Sequence, residues 1–199
     1  MTRAKPIKGR RAAAMSLNGL LSHPLDEGLA AIEFALVVPV FLLILVGAVD
    51  LGGMLYTSYQ LETAVAAGAE YAALNGSNVN STSGATLASS IAGVVENANG
   101  ATWANDSVVV NDGPSVTVTA GVVSSGGTAS NANSCYCPTG SPPNWVWGSA
   151  ATCNSICATG GQAQQFVMIT ATRAYTPLLS TFGLIKNGTL SQNATVEVP

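Results

Sequence analysis

The chain has 199 residues, of which only 9% are charged, against about 25% in an average soluble protein. That length holds one exported domain of ordinary size plus a membrane segment, but not two full domains. Residues 1–28 carry +3 and the rest of the chain −6, for an overall −3. This excludes a nucleic-acid-binding main body, which needs a basic footprint. The single histidine, His23, lies in the basic leader, so a histidine-dependent active site elsewhere is excluded as well.

After the leader, residues Leu29–Val49 read LAAIEFALVVPVFLLILVGAV, 21 residues with one charge, Glu33, and one proline, Pro39. About 20 predominantly apolar residues cross the roughly 30 Å hydrocarbon core as a helix. Five of the seven basic residues precede this run and none follows until Arg173. The positive-inside rule therefore keeps residues 1–28 in the cytoplasm and sends Asp50 onward across the membrane. Glu33 has to be explained, because a carboxylate at a helix centre costs about 2.5–3.5 kcal/mol on insertion scales. One explanation is a position near the interface, protonated or snorkelling. The other starts from Gly28, five residues earlier. The string Gly28-Leu29-Ala30-Ala31-Ile32-Glu33-Phe34 resembles a type IV prepilin processing site, with a glycine, a cut, and a glutamate fifth in the mature chain. A cut there would give Leu29 an ammonium group able to pair with Glu33 of its own chain or of a neighbour. A conventional signal peptide is the rival: Phe34–Val46 has h-region length and cleavage would follow Ala48. The long leader, the acid and proline early in the apolar run, and the helical pattern continuing past Ala48 count against it.

That pattern continues through Leu51, Leu55, Tyr59 and Leu61 into an alanine-rich stretch that stops at Gly76. A helix from Leu29 to Leu74 would be about 70 Å long, its first half in lipid and its second half exported. Pro39 and Gly52-Gly53 are the places for a bend. The small residues Ala64, Ala66, Ala67, Gly68 and Ala69 allow close approach of another helix or sheet. Their bland use is to pack the helix on its own domain.

Residues 75–100 read as a loop and a short helix over Thr86–Asn99, with Leu87, Ile91, Val94 and Val95 on one face. The period then changes to two over 105–123 and 164–198. The runs Val108–Val110, Val116–Ala120, Phe166–Tyr175 and Thr189–Val198 predict four strands, the first two joined by the turn signal Asn111-Asp112-Gly113-Pro114. That turn is not a calcium loop, which needs further acids at set spacing. The architecture is α+β: a small antiparallel sheet packed on the exported part of the long helix, with domain limits 1–28, 29–50 and 51–199.

Residues 124–163 form an uncharged Ser/Gly/Asn loop that holds all four cysteines, Cys135, Cys137, Cys153 and Cys157. A loop of this length must be pinned. Disulfides between the two clusters do so in an oxidising compartment, with the connectivity open. A four-thiolate zinc site is the rival, although Cys-x-Cys with Cys-x3-Cys fits zinc knuckles poorly. Trp145, Trp147, Pro142 and Pro143 form either an exposed contact patch or the loop's own small core. Sequons begin at Asn75, Asn80, Asn105, Asn187 and Asn193. In a chain this rich in Asn, Ser and Thr they arise by chance, and none is assigned a glycan.

With these pieces together, the chain resembles the TadE family, pseudopilins of tight-adherence (Tad/Flp, type IVc) pilus systems. Glu27-Gly28-Leu29-Ala-Ala-Ile-Glu33-Phe34-Ala-Leu-Val-Val-Pro39 carries the resemblance, with Asp50 and the run Tyr59–Ala72. It is specific over 27–74 and looser over 135–198, where the Cys-x-Cys cluster and Tyr175-Thr-Pro177-Leu178 fall. Two features depart from it: Gly52-Gly53 replaces a bulkier or basic residue, and the mature chain is much larger than a major pilin. The resemblance implies a pilin-like fold and a non-enzymatic role in pilus assembly, with no cofactor and no metal. Processing by a prepilin peptidase would involve Gly28 as last leader residue, Leu29 as mature N-terminus, and Glu33 with Phe34 behind it. It also implies other pilins and the inner-membrane assembly platform as partners, and a single-pass inner-membrane location with the C-terminal domain outside. Two other classes were weighed against it. An anchored enzyme would have to use Glu96, Asp106 and Asp112, with Lys186 as the only base placed to help. An exported adhesin or binding module would make its contact through the disulfide-pinned loop.

Overall fold

The computed structural model describes residues 25–100, 102–141, 145–178 and 188–198. The basic leader with His23, together with Pro142, Pro143, Lys186 and Asn187, lies outside the described residues. The chain divides into two compact units, one ending at Leu45 and one running from Val46 to Pro199. A single α-helix, α1, spans Leu25–Leu74 and carries Pro39 inside it.

In the first unit α1 supplies the described structure. Its 25–45 portion is about 31 Å long at 1.5 Å per residue, and its side chains from Leu29 on are almost all exposed, Phe34 and Leu36 among them. Such a surface is wrong for water and right for lipid. Mean hydropathy reaches 2.8 in the window that qualifies this helix as one able to cross a membrane, and a helix satisfies its own backbone hydrogen bonds there.

The second unit contains the rest of α1, a second helix α2 (Gly84–Asn99) and strands β1 (Asn105–Val110), β2 (Ser115–Thr119), β3 (Val122–Gly126), β4 (Gln165–Tyr175) and β5 (Gly188–Val198). The sheet order is β3-β2-β1-β4-β5, and every neighbouring pair is antiparallel. Alternation fixes the register. Val108 stands opposite Val116 on one side and Ile169 on the other, so the buried valines and isoleucine share one face. Onto that face pack Leu87, Ile91 and Val95 of α2 and Leu61, Ala64, Val65 and Ala72 of α1. Full burial of a side chain such as Leu61, Ile91 or Ile169 contributes about 1.5–3 kcal/mol. At the rim, the Asn99 side-chain amide donates to the Gln60 carbonyl at 3.1 Å, and that of Gln192 to the Ser58 hydroxyl at 3.2 Å. The small residues of α1 serve the domain's own packing. A Cβ on Gly68 would come 2.8 Å from Val95 Cγ2 and 3.4 Å from both Ile91 and Ile169.

The sheet has five strands where the sequence pattern predicts four, and the cysteine loop starts correspondingly later than residue 124. The added strand, β3, is exposed along its whole length, so it carries no apolar–polar alternation to read. Its connection to β2 is a two-residue turn in which Ala120 and Gly121 both take positive φ, 51° and 79°. Alanine there hides the Asn-Gly signature by which such hairpins are usually recognised.

Gly68→Val is expected to destabilise the second unit by about 1–3 kcal/mol through overpacking, even though glycine is a poor helix former. Thermal unfolding of the detergent-solubilised protein checks this; an unchanged midpoint would contradict the close packing of α1 on α2 and β4.

Candidate functional site

Gly28 and Leu29 lie in the first turns of α1, which begins at Leu25. Glycine weakens a helix interior, and first-turn N–H groups have no intrahelical acceptor. The Gly28–Leu29 bond therefore sits where the helix unwinds at low cost. Leu29, Glu33 and Phe34 are all exposed on the helix surface. The apolar residues around them make this a face that lipid or another apolar helix can cover.

At the far end of the apolar run stands Asp50, only 3% exposed although it carries a carboxylate. One chain segment bonds both its main chain and its side chain. The Tyr175 hydroxyl, at the end of β4, donates to the Asp50 carbonyl at 2.6 Å. The Leu178 N–H donates to Asp50 Oδ1 at 2.8 Å. A Cβ on Gly53 would come within 3.3 Å of the Tyr175 hydroxyl, so glycine at this position lets the ring approach the helix. One of the two departures from the family pattern thus has a local cause, whereas nothing lies within 4 Å of the Cβ position at Gly52. Sequence reading singled out Asp50, Gly53 and Tyr175–Leu178 separately; the structure brings them together as one clamp.

The four cysteines form two disulfides, Cys135–Cys153 and Cys137–Cys157, with Cα–Cα separations of 5.0 and 5.6 Å. The bridges join the two clusters and consume every thiol, which removes the zinc alternative. They hold a small core of Cys135, Cys157 and Ala163. From it a chain of edge-to-face rings runs through Tyr136, Trp147, Trp145 and Phe166, with centroids 5.7, 6.1 and 5.8 Å apart. The tryptophans are partly buried packing elements that dock the loop on β4, the bland of the two readings.

A residue that sequence reasoning treated only as part of a turn does the rest of the docking. Asn111, fully buried, donates from its side-chain amide to the Ala132 carbonyl at 3.1 Å and to the Ser134 carbonyl, while its Oδ1 accepts the Phe166 N–H at 3.2 Å. Its neighbour Gly113 must be glycine, because a Cβ would meet the Ala132 nitrogen at 2.9 Å. The turn is a staple between β1, β4 and the loop, and the Asn111 amide is committed to backbone groups.

Of the carboxylates that an enzyme reading would need, Glu96 and Asp106 are neighbours and Asp112 stands apart at the other end of β1. Asp112 lies on the β1–β2 turn, where burial raises its pKa. Asp106, at the other end of β1, is 5% exposed and its Oδ2 has no hydrogen-bond partner. Burial, reinforced by the charge of Glu96, pushes its carboxyl up to about 7. Arg173 lies 4.4 Å over the Trp103 ring. Among the described residues no group of three or more His, Cys, Asp or Glu is arranged to hold a metal ion.

A family model described as TadE-like protein matches residues 28–70, the family that the sequence resembles. The match starts at Gly28 and covers α1 through Asp50 to Glu70. No curated protein and no solved structure matches the chain.

Two outcomes follow from this geometry. Tyr175→Phe removes the hydroxyl that bonds the Asp50 carbonyl and is expected to cost about 0.5–1.5 kcal/mol, read as a lowered unfolding midpoint; no change would mean that the bond does not hold the clamp. For Asp106 the folded pKa lies above the unfolded one, so the folded state binds the extra proton between pH 3.8 and about 7. Its contribution to stability is full below pH 3.8 and is lost as pH rises through about 7. Asp106→Asn should therefore raise the midpoint at pH 8 by at least about 3 °C, some 1 kcal/mol for a domain of this size. At pH 4 it should leave the midpoint close to wild type.

Proposed function

We propose that this chain is a non-enzymatic, pseudopilin-like membrane protein that takes part in assembling a tight-adherence (Tad/Flp, type IVc) pilus. A prepilin peptidase trims it between Gly28 and Leu29. The observation that carries this reading is a coincidence of position. The TadE-like match begins at Gly28, Glu33 is the fifth residue after it, and both lie on a helix whose apolar stretch is long enough to cross a membrane. A leader cut before a membrane helix, with the helix retained, is the logic of a pseudopilin and not of a secreted enzyme.

On this reading the basic leader stays in the cytoplasm, α1 crosses the inner membrane once, and the disulfide-bonded domain is exported. The new Leu29 ammonium group pairs with Glu33 of its own or a neighbouring chain, which offsets the cost of a carboxylate in lipid. The partners are the prepilin peptidase, which acts at Gly28, Leu29, Glu33 and Phe34, other pilins or pseudopilins along the apolar helix, and the inner-membrane assembly platform. A cut after Ala48 by signal peptidase is less favoured, since Ala48 lies within the unbroken α1 and two residues from the Asp50 clamp.

N-terminal sequencing of the membrane-bound protein, made alongside its own prepilin peptidase, tests the proposal. A start at Leu29 that is lost in Gly28→Leu is the expected result. A start at Val49 with the domain released would replace the reading with a secreted module, and an uncut start near Met1 would reduce it to a plain membrane anchor.

A further inference from the structure

The edge strand β3 is the least protected part of the sheet. All five of its residues are exposed, Val122 at 66% and Val123 at 56%, and among the described residues β2 is its only neighbour in the sheet. Its pairing with β2 runs unbroken from Ser115–Gly126 to Thr119–Val122, so no bulge turns the edge away. The outer side of such a strand presents main-chain N–H and C=O groups that accept one kind of partner, another extended strand. Natural edges are normally blunted by lysine, proline, a bulge or a covering element; β3 reads VVSSG and contains none of the residues that do this.

Charge identifies the partner. No residue from Gly113 to Thr172 is charged, so β2, β3 and the disulfide loop together form an uncharged flank. The unit from Val46 to Pro199 nevertheless carries a net −5. In a two-fold contact each patch meets its own copy, so an acidic patch repels itself and a neutral one does not. The flank bearing β3 is therefore suited to self-association. A foreign partner selected by charge would bind elsewhere.

We propose that β3 pairs antiparallel with β3 of a second copy about a two-fold axis, joining the two sheets into one. The pairing needs no pilus partner and does not depend on the cut at Gly28. It is tested by placing single cysteines in turn at positions 122–126 of the full chain in membranes, with the native cysteines left in their disulfides. Copper-catalysed oxidation is then read on non-reducing gels. Two-fold antiparallel pairing predicts one sharp maximum of covalent dimer near Ser124, several-fold above a cysteine at exposed Ser89 on α2. A lysine next to the best position should lower that maximum several-fold, because the two copies' lysines then lie diagonally across the axis, about 7–8 Å apart, and repel each other. Equal, weak crosslinking at all five positions and at Ser89 would overturn the proposal as random collision. So would crosslinking at all five positions well above the Ser89 control, the pattern of parallel pairing, or a crosslink to a protein of another size.

Discussion

The buried carboxylate of Asp50 is the constraint on which the unit from Val46 to Pro199 depends. Up to Val49 the helix shows apolar side chains to its surroundings, and from Leu61 onward it buries one stripe in a protein core. Between these regimes the chain must hold a charged group without leaving it unsatisfied, since an unpaired buried carboxylate is expensive. The far end of the sequence closes on it across about 125 residues of chain: the Leu178 N–H donates to the carboxylate and the Tyr175 hydroxyl to the Asp50 main-chain carbonyl. Gly53 supplies the space for that approach. The end of β4 is thereby tied to α1 at Asp50.

A second set of buried polar bonds holds the opposite side of the sheet. The disulfide loop is too long and too poor in apolar residues to order itself. It depends on two bridges, a short aromatic chain reaching Phe166, and the Asn111 side chain. Disulfides of this kind persist in an oxidising compartment, which agrees with a domain exported beyond the membrane. The loop and strands β2 and β3 carry no charge. Solubility of the domain therefore rests on the acids of its helices and termini, and the β3 edge is left open to strand pairing.

Much of this was legible in the sequence because it follows from periodicity. The apolar run, the α1 continuation, α2 with Leu87, Ile91 and Val95, and the alternation around Val108, Val116 and Ile169 each reflect one buried face. The pairing of cysteine clusters followed from their proximity, while the partner of each cysteine depended on how the loop folds over β4. What stayed hidden was non-local or fell outside any alternation. β3 is exposed on both faces, and its turn uses Ala120 in a left-handed conformation. The meeting of Asp50 with Tyr175 depends on sheet topology that no local pattern encodes. Asn111 looked like turn chemistry, and only the packing of a distant loop gave its amide three partners.

The central claim is that a single helix carries the chain from the cytoplasm to an exported, disulfide-bonded domain. The most direct test labels single cysteines with a membrane-impermeant maleimide in intact spheroplasts, the native cysteines being silent in their disulfides. Ser89→Cys on α2 should label without lysis, and Ser16→Cys in the leader only after the membrane is opened. Labelling of Ser16→Cys alone in intact spheroplasts would invert the topology and contradict the account.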